Sequence, residues 1–324
     1  MTRTKQISIF LIALVGLMTV TNAAQAKDYD FKFGGLYYKM DLLHNLHNLH
    51  NLKAKVVPEK ASYPYYSDDA SKPKGYISIP QTISSQMALK VSLTVTEIGE
   101  NAFSGCKGLK SVTIPSSVYT IGKGAFNECS WMTNIHISGN GLRVISDHAF
   151  AGCDHLEGIN IPHGVTKIGR GVFDLCGNLQ VLDIPSSVTS MGDNLIEECD
   201  KLKTIKVYWK TPIDVPANAF SGSESRITLK VPRGTEAAYR AHAVWGKFKV
   251  IEPTANETIE ASRIYASDGA LRLTLPSPAT VYIYGISGAM VKRLALPAGK
   301  HVQPLPAGIY VVRVGEAVAK VVVN

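Results

Sequence analysis

A phenylalanine returns along this chain at Phe103, Phe126, Phe150, Phe173 and Phe220, with Ile196 filling the fifth place, so that the interval is 23 or 24 residues throughout. Three residues after each anchor comes Cys106, Cys129, Cys153, Cys176 or Cys199, and Ser223 closes that column. Self-similarity at such a period is the signature of a solenoid, in which one unit forms one coil and cannot bury its apolar edge alone. From about Leu93 to Glu252 the chain reads as about six stacked coils.

Within each unit, segments such as Val112-Thr-Ile114, Ile135-His-Ile137, Ile159-Asn-Ile161, Leu182-Asp-Ile184 and Ile205-Lys-Val207 alternate apolar and polar, as half-buried strands do. Glycine corners follow at Ile98-Gly99, Ile121-Gly122, Ile168-Gly169 and Met191-Gly192, with Ser146 and Ala217 departing from the pattern. Stacking in register, with strands roughly 4.8 Å apart, would build a core about 25–30 Å long. The residue between two buried ones must point outward, which predicts a column of Thr113, His136, Asn160, Asp183 and Lys206. This column is the candidate protein-binding ladder, since repeat proteins bind along such surfaces. Ser111, Asn134, Gly158, Val181 and Thr204 form a neighbouring column. Neither column holds an aromatic residue of the kind that dominates interface energetics, so a face that only projects or packs, without a ligand, stays open as the second reading.

The combination Leu-x-x-Val-x-Ile-Pro, Val-x-x-Ile-Gly-x-x-Ala-Phe and then Cys three residues on resembles the leucine-rich repeat of BspA-type bacterial surface proteins. The resemblance implies an α/β-type solenoid rich in short strands, acting as a non-catalytic protein-binding module or adhesin toward proteins of host or neighbouring cells. Departures are Ser138 for Pro followed by Gly139-Asn140-Gly141, Ile196 for Phe, and Ser223 for Cys.

Residues 1–26 read as a signal peptide: Arg3 and Lys5 precede the apolar run from Ile7 to Val20, and Ala24-Gln25-Ala26 supplies a cleavage site. The run is too short for a membrane span. Residues 27–92 read as an N-terminal cap with a degraded first repeat, in which Phe31 to Met40 alternates as a strand and Tyr76-Ile-Ser-Ile79-Pro80 matches the Val-x-Ile-Pro piece. Its Gly-x-Tyr-Tyr phrase is similar to the start of other leucine-rich surface proteins. Within it, His44, His47 and His50 recur in three His-Asn-Leu copies. On a helix they would share a broad face able to hold zinc or copper, whereas a tandem expansion that merely lengthens a loop needs no metal. Without a matching carboxylate, no metal is assigned.

Residues 93–252 comprise the solenoid with a terminal cap, where Ala-Ala-Tyr239 reads as a short lid helix and Trp245 and Phe248 as cap core. Residues 253–262 form a polar linker, and residues 263–324 carry short strands with Gly/Pro turns, the pattern of a small antiparallel β-sandwich. The phrases Val281-Tyr-Ile-Tyr-Gly-Ile-Ser-Gly-Ala-Met-Val291 and Pro306-Ala-Gly-Ile-Tyr-Val-Val-Arg-Val314, with the closing Lys-Val-Val-Val, resemble the C-terminal sorting domain of type IX secretion cargo. That resemblance implies export to the surface of a Gram-negative bacterium. The last strand alternates little and is expected to be central or paired.

Formal charge is +8, and most of the excess falls in the last segment, where seven basic residues from Arg263 to Lys320 face only Asp268 and Glu316. Spread over a small β domain without a recognition motif, it does not point to nucleic acid. The odd number of cysteines, all at one repeat position, argues for buried free thiols, since parallel stacked Cβ atoms near 4.8 Å lie beyond usual disulfide reach. No Gly-x-Ser-x-Gly, His-Glu-x-x-His, P-loop or dinucleotide fingerprint occurs. The expectation is a monomer with no cofactor, no catalytic residue and no transmembrane span.

Overall fold

The computed structural model describes residues 29–41, 52–84, 92–220, 222–254, 263–267, 269–275, 279–297, 299–314 and 317–323. Residues 1–28, which include the expected signal peptide, the His-Asn-Leu copies with His44, His47 and His50, and residues 255–262 of the expected linker lie outside them. The chain forms two units with separate apolar cores, one ending at Glu252 and the other starting at Pro253.

In the first unit each coil has three sides. The first carries the longer strands Leu109–Ile114, Asn134–Ile137, Gly158–Asn160, Val181–Ile184, Thr204–Val207 and Thr228–Val231. Gly75–Ser78 pairs in parallel ahead of them, Ile77 opposite Val112, so the solenoid has about seven turns. The second side is a ladder of two-residue strands, Thr120–Ile121, Val144–Ile145, Lys167–Ile168 and Ser190–Met191, started by the end of Ser92–Ile98. The third holds the Phe and Cys turns. Among the described residues the α-helix is Glu236–Ala241, in the terminal cap, so this side is built of turns and the solenoid is of the β type.

Backbone conformation explains why turns prevail there. Positive φ recurs at two places in the coil: two residues before the anchor in the first five coils, at Asn101, Gly124, His148, Gly171 and Asn194, and two after it in all six, at Gly105, Glu128, Gly152, Leu175, Glu198 and Gly222. A left-handed residue ends a right-handed helical turn, so the chain reverses before a helix can grow. The corner glycines serve another purpose. A Cβ on Gly122 would lie 2.7 Å from the Glu100 nitrogen, and one on Gly99 would lie 2.7 Å from the Val56 oxygen, so only glycine lets successive coils approach this closely.

The repeated side chains stack as ladders. Phe103, Phe126, Phe150 and Phe173 are fully buried, with centroids 4.9, 5.4 and 5.9 Å apart and planes within 9° of parallel. All five cysteines are buried and free. The thiols of Cys129, Cys153, Cys176 and Cys199 each donate to the carbonyl of the Phe one coil back, at 3.0 to 3.2 Å. Burial raises every one of these pKa values, pushing Cys106 and Cys199 up to about 12.

Both ends of the stack are covered. Phe220 packs on Trp245 and Phe248, while the Tyr239 hydroxyl donates to the Trp209 carbonyl at 2.9 Å and Trp245 Nε1 donates to Ile213 at 2.8 Å. At the other end, the single strand expected over Phe31 to Met40 is instead a hairpin. Phe31–Phe33 pairs antiparallel with Leu36–Asp41, because Gly34 and Gly35 both take positive φ and form the two-residue turn that suits strand twist. Lys53–Val57 then joins this hairpin to Ser92–Ile98.

The second unit contains two antiparallel sheets around one core. Arg263–Ser267, Ala270–Leu275 and Gly299–Pro304 form one sheet; Met290–Leu296, Ala279–Gly285, Gly308–Val314 and Ala317–Val323 form the other in that spatial order. The last strand is paired with Gly308–Val314 but closes the order rather than lying centrally. Its burial does alternate, Val321 and Val323 inside and Val322 outside.

Candidate protein-binding face

The strands of the first side are pinned from behind by their own apolar residues. Val112, Leu182 and Ile205 are fully buried, and Ile135 and Ile159 nearly so, which leaves the residues on either side of each pointing outward. Thr113 stands opposite His136, and Asn160 opposite Asp183 and then Lys206. Ser78 extends this column at one end and Lys230 at the other. The neighbouring column also faces outward, with Ser111 opposite Asn134 and Gly158 opposite Val181 and Thr204.

The column is nevertheless not one unbroken ladder. Gly75–Ser78, Leu109–Ile114 and Asn134–Ile137 form one sheet, and Gly158–Asn160 begins another. His136 and Asn160 therefore belong to separate blocks. The break falls at the coil with the longer corner, 138–142, which Arg143 braces by donating to the Asn140 carbonyl at 2.5 Å.

The two blocks differ in chemistry. In the second, Lys206 Nζ lies 3.3 Å from both carboxylate oxygens of Asp183, and Lys230 pairs with Glu252. These surface pairs offset their own charge and are individually worth about 0–1 kcal/mol. The first block offers the hydrogen-bonding side chains of Ser111, Thr113, Asn134 and His136 beside an exposed aromatic. Trp131 is 51% exposed, stacks on His155 with centroids 4.5 Å apart, and carries Lys110 Nζ 4.6 Å above its ring centroid. His155 is held in turn by Nδ1, 2.8 Å from the Ser130 carbonyl oxygen. Tyr76, 86% exposed, stands opposite Ser111 and adds a second ring to this block.

Tyr76 continues the neighbouring column one coil before Ser111, whereas Trp131 belongs to neither column predicted from strand alternation. Trp131 occupies the second place after cysteine, in a column that runs Gly108, Trp131, His155, Asn178 and Lys201. That position precedes the buried Leu or Met and had no assigned direction. The variation of residue type along it was the available signal, since a buried position would not accept Gly, Trp and Lys in turn. Among the described residues no helix is long and apolar enough to cross a membrane.

Stacked three-sided coils with a parallel strand on one side and a buried Phe–Cys turn on another define a leucine-rich β-solenoid. Residues 96–228 match the model of the BspA type leucine rich repeat region, in six copies; this segment is a BspA-type repeat array. Solved structures with a similar fold include a leucine-rich repeat protein of T. pallidum, 27% identical over 55% of this chain and 71% of that one, TM-score 0.43. A leucine-rich cell surface protein of Faecalibacterium prausnitzii A2-165 is 21% identical over 75% of this chain and 58% of that one, TM-score 0.46. A leucine-rich repeat protein of Bacteroides ovatus ATCC 8483 is 20% identical over 71% and 63%, TM-score 0.43. No curated protein matches the chain.

Proposed function

We propose that the chain is an exported, monomeric, non-catalytic module that binds a protein at the surface of a Gram-negative cell, through the strand face around Trp131. The observation that carries this reading is Trp131 itself, half exposed yet held in one orientation between His155 and Lys110. A large ring restrained before binding loses little entropy on contact, and tryptophan is among the residues most enriched where truncation costs most. Export is supported by the leader-like residues 1–26 and by the resemblance of residues 263–324 to a sorting domain. A non-catalytic role is supported by the thiols, which burial keeps protonated and away from solvent.

The test is a pull-down with the mature chain, residues 27–324, against panels of purified extracellular-matrix and bacterial surface proteins. The reading expects a partner whose capture falls at least tenfold with Trp131→Ala. A structural spacer is the second reading, favoured by the mutual neutralisation of Asp183 with Lys206 and Lys230 with Glu252; capture of nothing, by wild type and variant alike, would select it. For export, cell fractionation in the native host after deletion of residues 258–324 should leave the folded solenoid in the periplasm. Surface display of the deleted form at wild-type level would remove the sorting role.

A further inference from the structure

On the turn side of the first coils, far in chemistry from the strand face, a cleft of about 460 Å³ opens between the loop 58–74 and the turns around Cys106 and Cys129. Sites for small ligands are typically about 300–1,000 Å³. The loop wall is fixed from within. The buried Tyr66 hydroxyl donates to the Ala102 carbonyl, Glu59 accepts from the Ser67 N–H at 2.7 Å, and the Lys60 N–H donates to the Tyr65 carbonyl at 2.9 Å. A wall already ordered adds little entropic cost to binding.

Its lining has a definite chemistry. Tyr63 and Tyr65 meet edge to face, centroids 5.9 Å apart, and Tyr63 is 85% exposed. Asn101, Asn127 and Glu128, from two successive coils, line it as well. Charge nearly cancels: Asp68, Asp69 and Glu128 supply three negative groups against Lys72 and Lys107, and Lys72 already bonds Asp69 at 2.7 Å. A phosphate or sulfate would meet more carboxylates than ammonium groups, and a wholly apolar ligand would strand amides and carboxylates without partners.

We propose that this cleft binds a neutral saccharide of one or two units. A pyranose has an apolar C–H face, which an exposed phenol ring covers, and a rim of hydroxyls that both donate and accept. Carboxylates accept from those hydroxyls, while the amides of Asn101 and Asn127 can do both. The inference stands apart from the protein-binding reading, because it uses the other side of the coil and none of its residues.

Saturation-transfer NMR on the mature chain with lactose, cellobiose, maltose and N,N′-diacetylchitobiose tests it, and an array bearing vertebrate-type and bacterial glycans distinguishes the two sources. Transfer to at least one disaccharide is expected. Tyr63→Ala should weaken it about fivefold or more, as expected for loss of one stacking ring, Tyr63→Phe should retain it, and Trp131→Ala should leave it unchanged. Tyr63 is too exposed for its loss to unfold the chain, so the result reads the site directly. Absence of transfer from all four sugars and from the array would overturn the proposal, as would binding insensitive to Tyr63→Ala or binding lost with Trp131→Ala.

Discussion

Replacing Phe150 with alanine removes the third ring of a four-ring stack. Phe150 is fully buried, 5.4 Å from Phe126 and 5.9 Å from Phe173 by centroid. The coils cannot close over the gap, because the Phe150 N–H donates to the Val172 carbonyl at 3.0 Å and the Phe126 N–H to the Ala149 carbonyl at 2.8 Å. With collapse restrained, the cost should lie in the upper part of the about 3–5 kcal/mol seen for Phe→Ala in cores. Phe150→Ile should cost less, about 1–3 kcal/mol, made up of stacking on two faces and a smaller volume change. The column itself supports this, since Ile196 already occupies a fully buried place in it. All three tryptophans, Trp131, Trp209 and Trp245, lie in the repeat unit, so urea unfolding followed by tryptophan fluorescence reads that unit alone, with the midpoint shift converted at constant slope. A Phe150→Ala variant within about 1 kcal/mol of wild type would refute the inward ladder. Equal losses for Ala and Ile would refute the volume and stacking argument.

Three other outcomes follow from the coil geometry. Glu198 is exposed at φ 55°, and Glu198→Gly should raise stability by about 0.5–1 kcal/mol, the left-handed strain relieved less the added chain entropy; a lower urea midpoint would contradict this. Gly122→Ala should cost about 1–3 kcal/mol or more, because its Cβ would meet backbone of the preceding coil at 2.7 Å, and a neutral result would mean that the coils can slide apart. The thiols hold protons in the folded state that the unfolded state releases above about pH 9, so stability should be intact below that value and fall between about pH 9 and 12, by about 1.4 kcal/mol per pH unit for each thiol. Alkylation without reductant at pH 8 should label all five only after denaturation, and flat stability through pH 11 would place the cysteines outside the core.

What could be read in advance was whatever the period encodes. Once Phe103 and Phe126 are known to share a place, burial of one implies burial of the other, and Thr113 must stand opposite His136. What escaped was set by single residues acting across the period. The hairpin at Gly34-Gly35 was hidden inside a stretch whose alternation continues through the turn, although the glycine pair was the signal for it. The separation of His136 from Asn160 depends on how one irregular coil seats against the next. The Lys110–Trp131–His155 stack joins three coils through side-chain direction, which periodicity does not supply. The cleft is made by a loop with no repeat of its own, and only folding brings Tyr63 and Asn127 into one lining.

The most direct measurement of the proposed binding face is hydroxyl-radical footprinting of the chain with and without the captured partner. In the free protein, Trp131 should oxidise readily and buried Trp209 and Trp245 slowly, in keeping with their exposures of 51, 6 and 0%. On binding, oxidation of Trp131 should drop severalfold while exposed Tyr63 and Tyr265 keep their rates. A partner that protects Tyr63 or Tyr265 and leaves Trp131 as reactive as before would contradict the assignment of this face.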